Sequence, residues 1–219
     1  MAANGHDNSA KTTQNITIIY EHVHNPPHAL GSGTTIDWSK PGLTLELLEI
    51  VSQRLGVKFS YKRMPWKRGL YMLDKNEADG IFHASYKKAR EELGVYPTVD
   101  GLPDQSRSIF EQSYALYIQK GSPITINEGK ILNVDGDIGA MSNYSIVSKL
   151  KKLGLSTKES SALKENFIQL SKGRVAAFAM LENMADDFLK RNNHKFTNIV
   201  KVSPVIERKP YYLLLSKKF

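Results

Sequence analysis

The chain has 219 residues, 41% hydrophobic and 24% charged, enough to bury one large core or two small ones. No apolar run reaches membrane-spanning length, and the lack of cysteine excludes disulfides, cysteine nucleophiles and thiolate metal sites. A formal net charge of +8 invites an anionic partner, but the basic residues scatter as pairs (Lys62-Arg63, Lys67-Arg68, Lys87-Lys88, Lys151-Lys152, Lys217-Lys218) without a nucleic-acid motif, so nucleic acid is not the expected partner.

Residues 1–14 are polar and read as a disordered segment, with neither the basic region nor the apolar core of a signal peptide, as expected of a mature form. Ile16-Thr17-Ile18-Ile19-Tyr20 is β-branched and short, a buried strand, and Pro26-Pro27 forces the next stretch into a loop. Alternate positions on an extended chain face the same way, so His22 and His24 in that loop could meet one ion. No third ligand at suitable spacing is assured, and neither a metal nor a cofactor is expected. After a Gly/Ser/Thr/Pro loop, Leu43, Leu47, Leu48, Ile50, Val51 and Leu55 mark an amphipathic helix that Gly56 closes, and Val57 to Tyr61 alternates as a strand.

Trp66, Leu70 and Leu73 then lie on one face of a helix running from Trp66 to Lys75. Ala78 to Ala84 is apolar too briefly for a helix and reads as a buried strand, which completes a βαβαβ series and predicts a parallel sheet with right-handed crossovers. Just past that strand come Ser85 and, five positions on, Arg90. A hydroxyl and a guanidinium emerging at the end of a buried strand stand where open α/β sheets hold ligands, and the planar fork of arginine matches a carboxylate.

From Gly94 to Phe110 the chain is loop-like, Tyr114 to Ile118 is a strand, and Asp137 to Met141 is another. Ser142-Asn143-Tyr144-Ser145 supplies a capping residue for a helix marked by Ile146, Val147, Leu150 and Leu153 and stopped by Gly154. Ile168 to Met180 repeats the layout of Tyr71 to His83, a helix end, a polar turn and a buried strand, which predicts two similar lobes. Glu182 follows directly, either as a site carboxylate or as an acid favoured at the start of the helix that continues from Met184 to Lys190. Tyr211 to Ser216 is the last strand.

Asp79-Gly80-Ile81 with Ser85 and Arg90 resembles the core motif of the extracytoplasmic (periplasmic) solute-binding proteins of family 3, the amino-acid-binding type that serves ABC transporters. The resemblance implies an α/β fold of two lobes, the type II periplasmic-binding-protein architecture, each lobe a mostly parallel sheet flanked by helices, with a ligand cleft between them. It implies lobe 1 at residues 15–107, lobe 2 at 108–202 and a return strand at 203–219. It further implies that Arg90 clamps a ligand carboxylate, Ser85 adds a hydrogen bond, Trp66 covers the ligand, Glu21 sits at a pocket position after the first strand, and Ser142, Asn143, Tyr144 and Glu182 close from the second lobe, Glu182 on an ammonium group. His83 departs from the small residue that the family carries two positions before the hydroxyl. The partners implied are an amino acid or similar small carboxylate and the membrane permease of an ABC transporter, with the protein a periplasmic monomer and not an enzyme. A ligand-sensing domain of a signalling receptor, or a dehydratase-like enzyme using Glu182 or His83 as its acid, are the other expectations the fold allows.

Overall fold

The computed structural model describes residues 14–219, so all but the last residue of the segment expected to be disordered lies outside the described residues. Strand β1 (Asn15–Glu21), helix α1 (Leu43–Leu55), strand β2 (Lys58–Met64), helix α2 (Trp66–Asp74) and strand β3 (Gly80–Ser85) form the expected βαβαβ unit. β1 runs parallel to β2 on one side and to β3 on the other. Gly56 ends α1 in the left-handed conformation, φ 66°, which glycine adopts without a Cβ penalty. α2 begins directly after Pro65 and buries Trp66, Gly69 and Leu73. A Cβ at Gly69 would stand 2.9 Å from Ile81 Cδ1, so glycine is what lets this helix lie close against β3.

A 3-10 turn at Lys88–Arg90 follows β3, and the stretch Gly94 to Phe110 is mostly irregular, as expected, apart from a two-strand hairpin, β4 (Thr98–Val99) with β5 (Leu102–Pro103), and a 3-10 turn at Gln105–Arg107. β6 (Phe110–Gln119) follows, then a second hairpin of β7 (Thr125–Asn127) and β8 (Lys130–Leu132). β9 (Ile138–Met141), α3 (Ser145–Lys152), β10 (Thr157–Ser160), α4 (Leu163–Ser171), β11 (Ala177–Leu181), α5 (Glu182–Arg191) and β12 (Ile199–Leu215) complete the chain.

The eight-stranded sheet has the order β10-β9-β11-β6-β12-β3-β1-β2. Its halves mirror each other. β3 stands between a parallel β1 and an antiparallel β12, and β11 stands between a parallel β9 and an antiparallel β6. The echo of Tyr71 to His83 in Ile168 to Met180 is therefore a true structural repeat, α2–β3 against α4–β11. β6 and β12 pair antiparallel at the centre and join the halves into the curled sheet of a two-lobed α/β protein.

Two expectations need correction. The return strand is not confined to Tyr211–Ser216, because β12 runs seventeen residues and begins at Ile199. Its ladder with β6 shifts register between Val202 and Glu207, around Pro204, which has no N–H to give a ladder. The expected cap on α3 is also absent: Tyr144 is the N-cap and no side chain caps that end.

Candidate functional site

The C-terminal ends of β1 and β3 meet the turn after β9, and the polar residues at those three places converge. Arg90 is 5% exposed in the 3-10 turn after β3. Its Nη1 donates to the Ser85 carbonyl at 2.8 Å, and its Nη2 crosses to the other lobe to donate to the Asn143 carbonyl at 3.1 Å. The guanidinium carbon lies 5.2 Å from the centre of the Trp66 ring. Among the described residues Arg90 makes no ion pair. A buried cation held only by neutral acceptors is a place where an anion is stabilised.

Ser85 Oγ donates to Ser145 Oγ of the opposite lobe at 3.0 Å. Tyr144, also from that side, donates its hydroxyl to Glu21 Oε2. Burial raises the Glu21 carboxyl from 4.5 to about 7, while the Tyr144 hydrogen bond and the Arg90 charge partly oppose the rise. Trp66 is nearly buried and its Nε1 has no partner among the described residues. Glu21, Trp66, His83, Ser85, Arg90, Tyr114, Tyr144, Ser145 and Tyr211 line one cavity of about 30 Å³, room for a water or two. Glu21 and Trp66 also form the wall of a second chamber of about 540 Å³, lined beyond them by His22, Lys67, Ser142, Asn143 and Glu159. In the first cavity the clamp is satisfied by the protein itself, with the Asn143 carbonyl on the guanidinium and Ser145 Oγ on Ser85.

His83 lines the small cavity in the left-handed conformation, φ 63°, which is strained for a residue with a Cβ. Its imidazole is fully engaged. Asn25 Oδ1 accepts from Gln112 Nε2 at 2.9 Å and from Asn183 Nδ2 at 2.7 Å, which leaves the Asn25 amide nitrogen to donate to His83 Nδ1. His83 Nε2 is then the protonated nitrogen, donating to Thr44 Oγ1 at 3.0 Å. Burial holds His83 well below 6.5, so it is a neutral ring tying a loop, a helix start and both lobes together.

Of the expected site residues, Arg90, Ser85, Trp66, Glu21, His83 and Tyr144 line one cavity, and Ser142 and Asn143 line the adjoining chamber. Glu182 stands apart. It lines neither space, and its carboxylate pairs with Lys201 Nζ at 2.8 Å beside Asp186, so it behaves as a helix-start acid with its own cation. His22 and His24 do not converge on an ion: His24 Nδ1 accepts from the Gly31 N–H and its Nε2 stands 3.5 Å from Asp187. No group of three or more potential metal ligands occurs among the described residues. No local pattern pointed to Asn25, Tyr114 or Tyr211. Asn25 lies in a proline loop without periodicity, and the two tyrosines read as ordinary strand residues until β6 and β12 are seen to pair.

No protein-family model matches the sequence, and no curated protein matches it. Solved structures do match in fold. An ancestral arginine-binding protein bound to glutamine superposes with a TM-score of 0.68 at 20% identity over 93% of this chain and 84% of that one. A histidine kinase sensor domain with similarity to periplasmic binding proteins reaches 0.71 at 14% identity, over 94% and 83%. The GluR0 ligand-binding core in complex with L-glutamate reaches 0.70 at 15%, over 95% and 87%. The fold is that of the two-lobed periplasmic binding proteins.

Proposed function

We propose that the protein is an extracytoplasmic solute-binding protein that captures an amino acid or similar small carboxylate between its lobes and hands it to the permease of an ABC importer. The observation that carries this reading is the buried Arg90 guanidinium with no anionic partner among the described residues, facing a cavity lined from both lobes. A ligand carboxylate would replace the Asn143 carbonyl and the Ser145 hydroxyl as the acceptor for Arg90 and Ser85, gaining charge-assisted bonds that neutral oxygens cannot give. Because the cavity is far smaller than an amino acid, entry requires the lobes to part and the ligand to extend into the larger chamber past Glu21 and Trp66.

The similarity in fold to proteins solved with glutamine and L-glutamate supports an amino-acid ligand. A periplasmic site of action fits that similarity, and among the described residues no helix is long and apolar enough to cross a membrane. Catalysis is disfavoured because both candidate acids are engaged, Glu182 by Lys201 and His83 by Asn25 and Thr44. A second reading, the ligand-sensing domain of a receptor, is supported by the similarity to the kinase sensor domain.

The test is a thermal-shift screen of amino acids and small carboxylates. A ligand present at 100 times its dissociation constant adds about 2.7 kcal/mol of stability and raises the melting temperature visibly. A response to α-amino acids that disappears for their amides at the carboxylate supports the clamp; equal response to acid and amide overturns it.

A further inference from the structure

We propose that the outer face of α1 is a self-association surface whose occupant is a second copy of this chain. The helix packs inward through Thr44, Leu45, Leu48 and Ser52. Its other face leaves Leu43, Leu47 and Ile50 55%, 44% and 48% exposed. A solvated helix carries polar residues on that face; here three large aliphatic side chains follow at steps of four and three, and Arg54 continues the row. That is the spacing of a seam for another helix. Residues 1–13, whose only large apolar residue is Met1, offer nothing in their composition to cover it.

Charge selects the occupant. Glu46 stands beside the N-terminal half of the seam and Arg54 at its C-terminal end, and both are exposed. A second copy related by a two-fold axis passing between Leu47 and Ile50 sets Leu47 against the partner's Ile50 and brings Arg54 over the partner's Leu43, within reach of the partner's Glu46. The two-fold forms each of these contacts twice, as an isologous interface requires. A parallel copy would instead set Glu46 beside Glu46 and Arg54 beside Arg54. The surface lies outside the ligand cleft and replaces the monomer expected from sequence with a weak dimer. On the inward face of the same helix, Thr44 receives the His83 hydrogen bond.

Sedimentation equilibrium over a wide concentration range tests the association, with far-ultraviolet melting as the check on folding. The expected result is a monomer–dimer equilibrium that Leu47→Glu abolishes without lowering the melting temperature, because Leu47 is solvent-exposed in the single chain. Glu46→Arg should weaken the dimer about tenfold or more, and adding Arg54→Glu should restore it. The register has its own readout, because the chain has no cysteine. Under mild oxidation, a mixture of Leu47→Cys and Ile50→Cys chains should form mixed disulfide dimers in preference to either self-linked dimer. A parent that stays monomeric at every concentration, a dimer indifferent to Leu47→Glu, or a paired charge swap that fails to restore association would overturn the proposal.

Discussion

Arg63 and Arg90 are buried to the same 5% exposure, each lays its guanidinium carbon 5.2 Å from an aromatic centre, and each donates to two backbone carbonyls. They differ in where the carbonyls come from. Arg63, on the edge strand β2, reaches Thr35 and Gly31, both in one loop of its own lobe, and lies over Tyr20. Arg90 reaches Ser85 in its own lobe and Asn143 in the other. Burial without an ion pair therefore does not by itself mark a binding arginine. What sets Arg90 apart is that its two acceptors come from different lobes and that it lines a cavity to which both lobes contribute.

The two arginines should respond in opposite ways to substitution. Arg63→Ala should cost about 2–4 kcal/mol of folding stability, since two buried carbonyls lose their donors, and the midpoint of a denaturant melt would measure it. A cost near zero would mean that loop 31–35 does not depend on Arg63, and the contrast between the two arginines would collapse. Arg90→Lys should instead act on the ligand, weakening affinity for whatever the screen finds by about tenfold or more, while its melting temperature falls less than that of Arg63→Ala. Calorimetric titration decides this, and unchanged affinity would reduce Arg90 to a second Arg63.

Glu21 adds a pH dependence to the Arg90 side only. Its folded pKa of about 7 stands above its ordinary 4.5, so between those values the folded state holds the extra proton, and this group's contribution to stability falls as pH rises through about 7. His83, held low, acts the other way, its contribution being lost as pH falls below 6.5. The parent should lose stability relative to Glu21→Gln between about pH 6.5 and pH 8 in parallel melts; a constant difference would place the Glu21 carboxyl in contact with water. The smallest effect belongs to Glu182→Gln. Its partly exposed pair with Lys201 is worth a few tenths to about 1 kcal/mol, and ligand affinity should not change. A selective loss for ligands bearing an ammonium group would return Glu182 to the site.

Local pattern alone was enough to read the repeating units of this protein and the polar end of β3 in the first lobe. Hydrophobic period placed α2, β1 and β3, because burial on one helix face or on both strand faces leaves its pattern in consecutive residues. Ser85 and Arg90 were legible for the same reason, standing just past a strand whose end was visible. Hydrophobic period also found α1, but the wrong face of it: Leu43, Leu47, Ile50 and Leu55 are exposed, and the helix packs inward through Thr44, Leu45, Leu48 and Ser52. The short strands β7, β8 and β10 were not, since three or four residues carry too little period to read. Which residues of the second lobe meet the first follows from long-range packing instead. Tyr144 reaches Glu21 across 123 positions and Asn183 reaches Asn25 across 158. Those pairings depend on how β6 and β12 join the half-sheets at the centre, and no local pattern records that. Glu182 and Asn183 are neighbours in the chain, yet one turns outward to Lys201 and the other inward to Asn25. The helix start allowed either residue to face the cleft, and the packing of α5 chose Asn183.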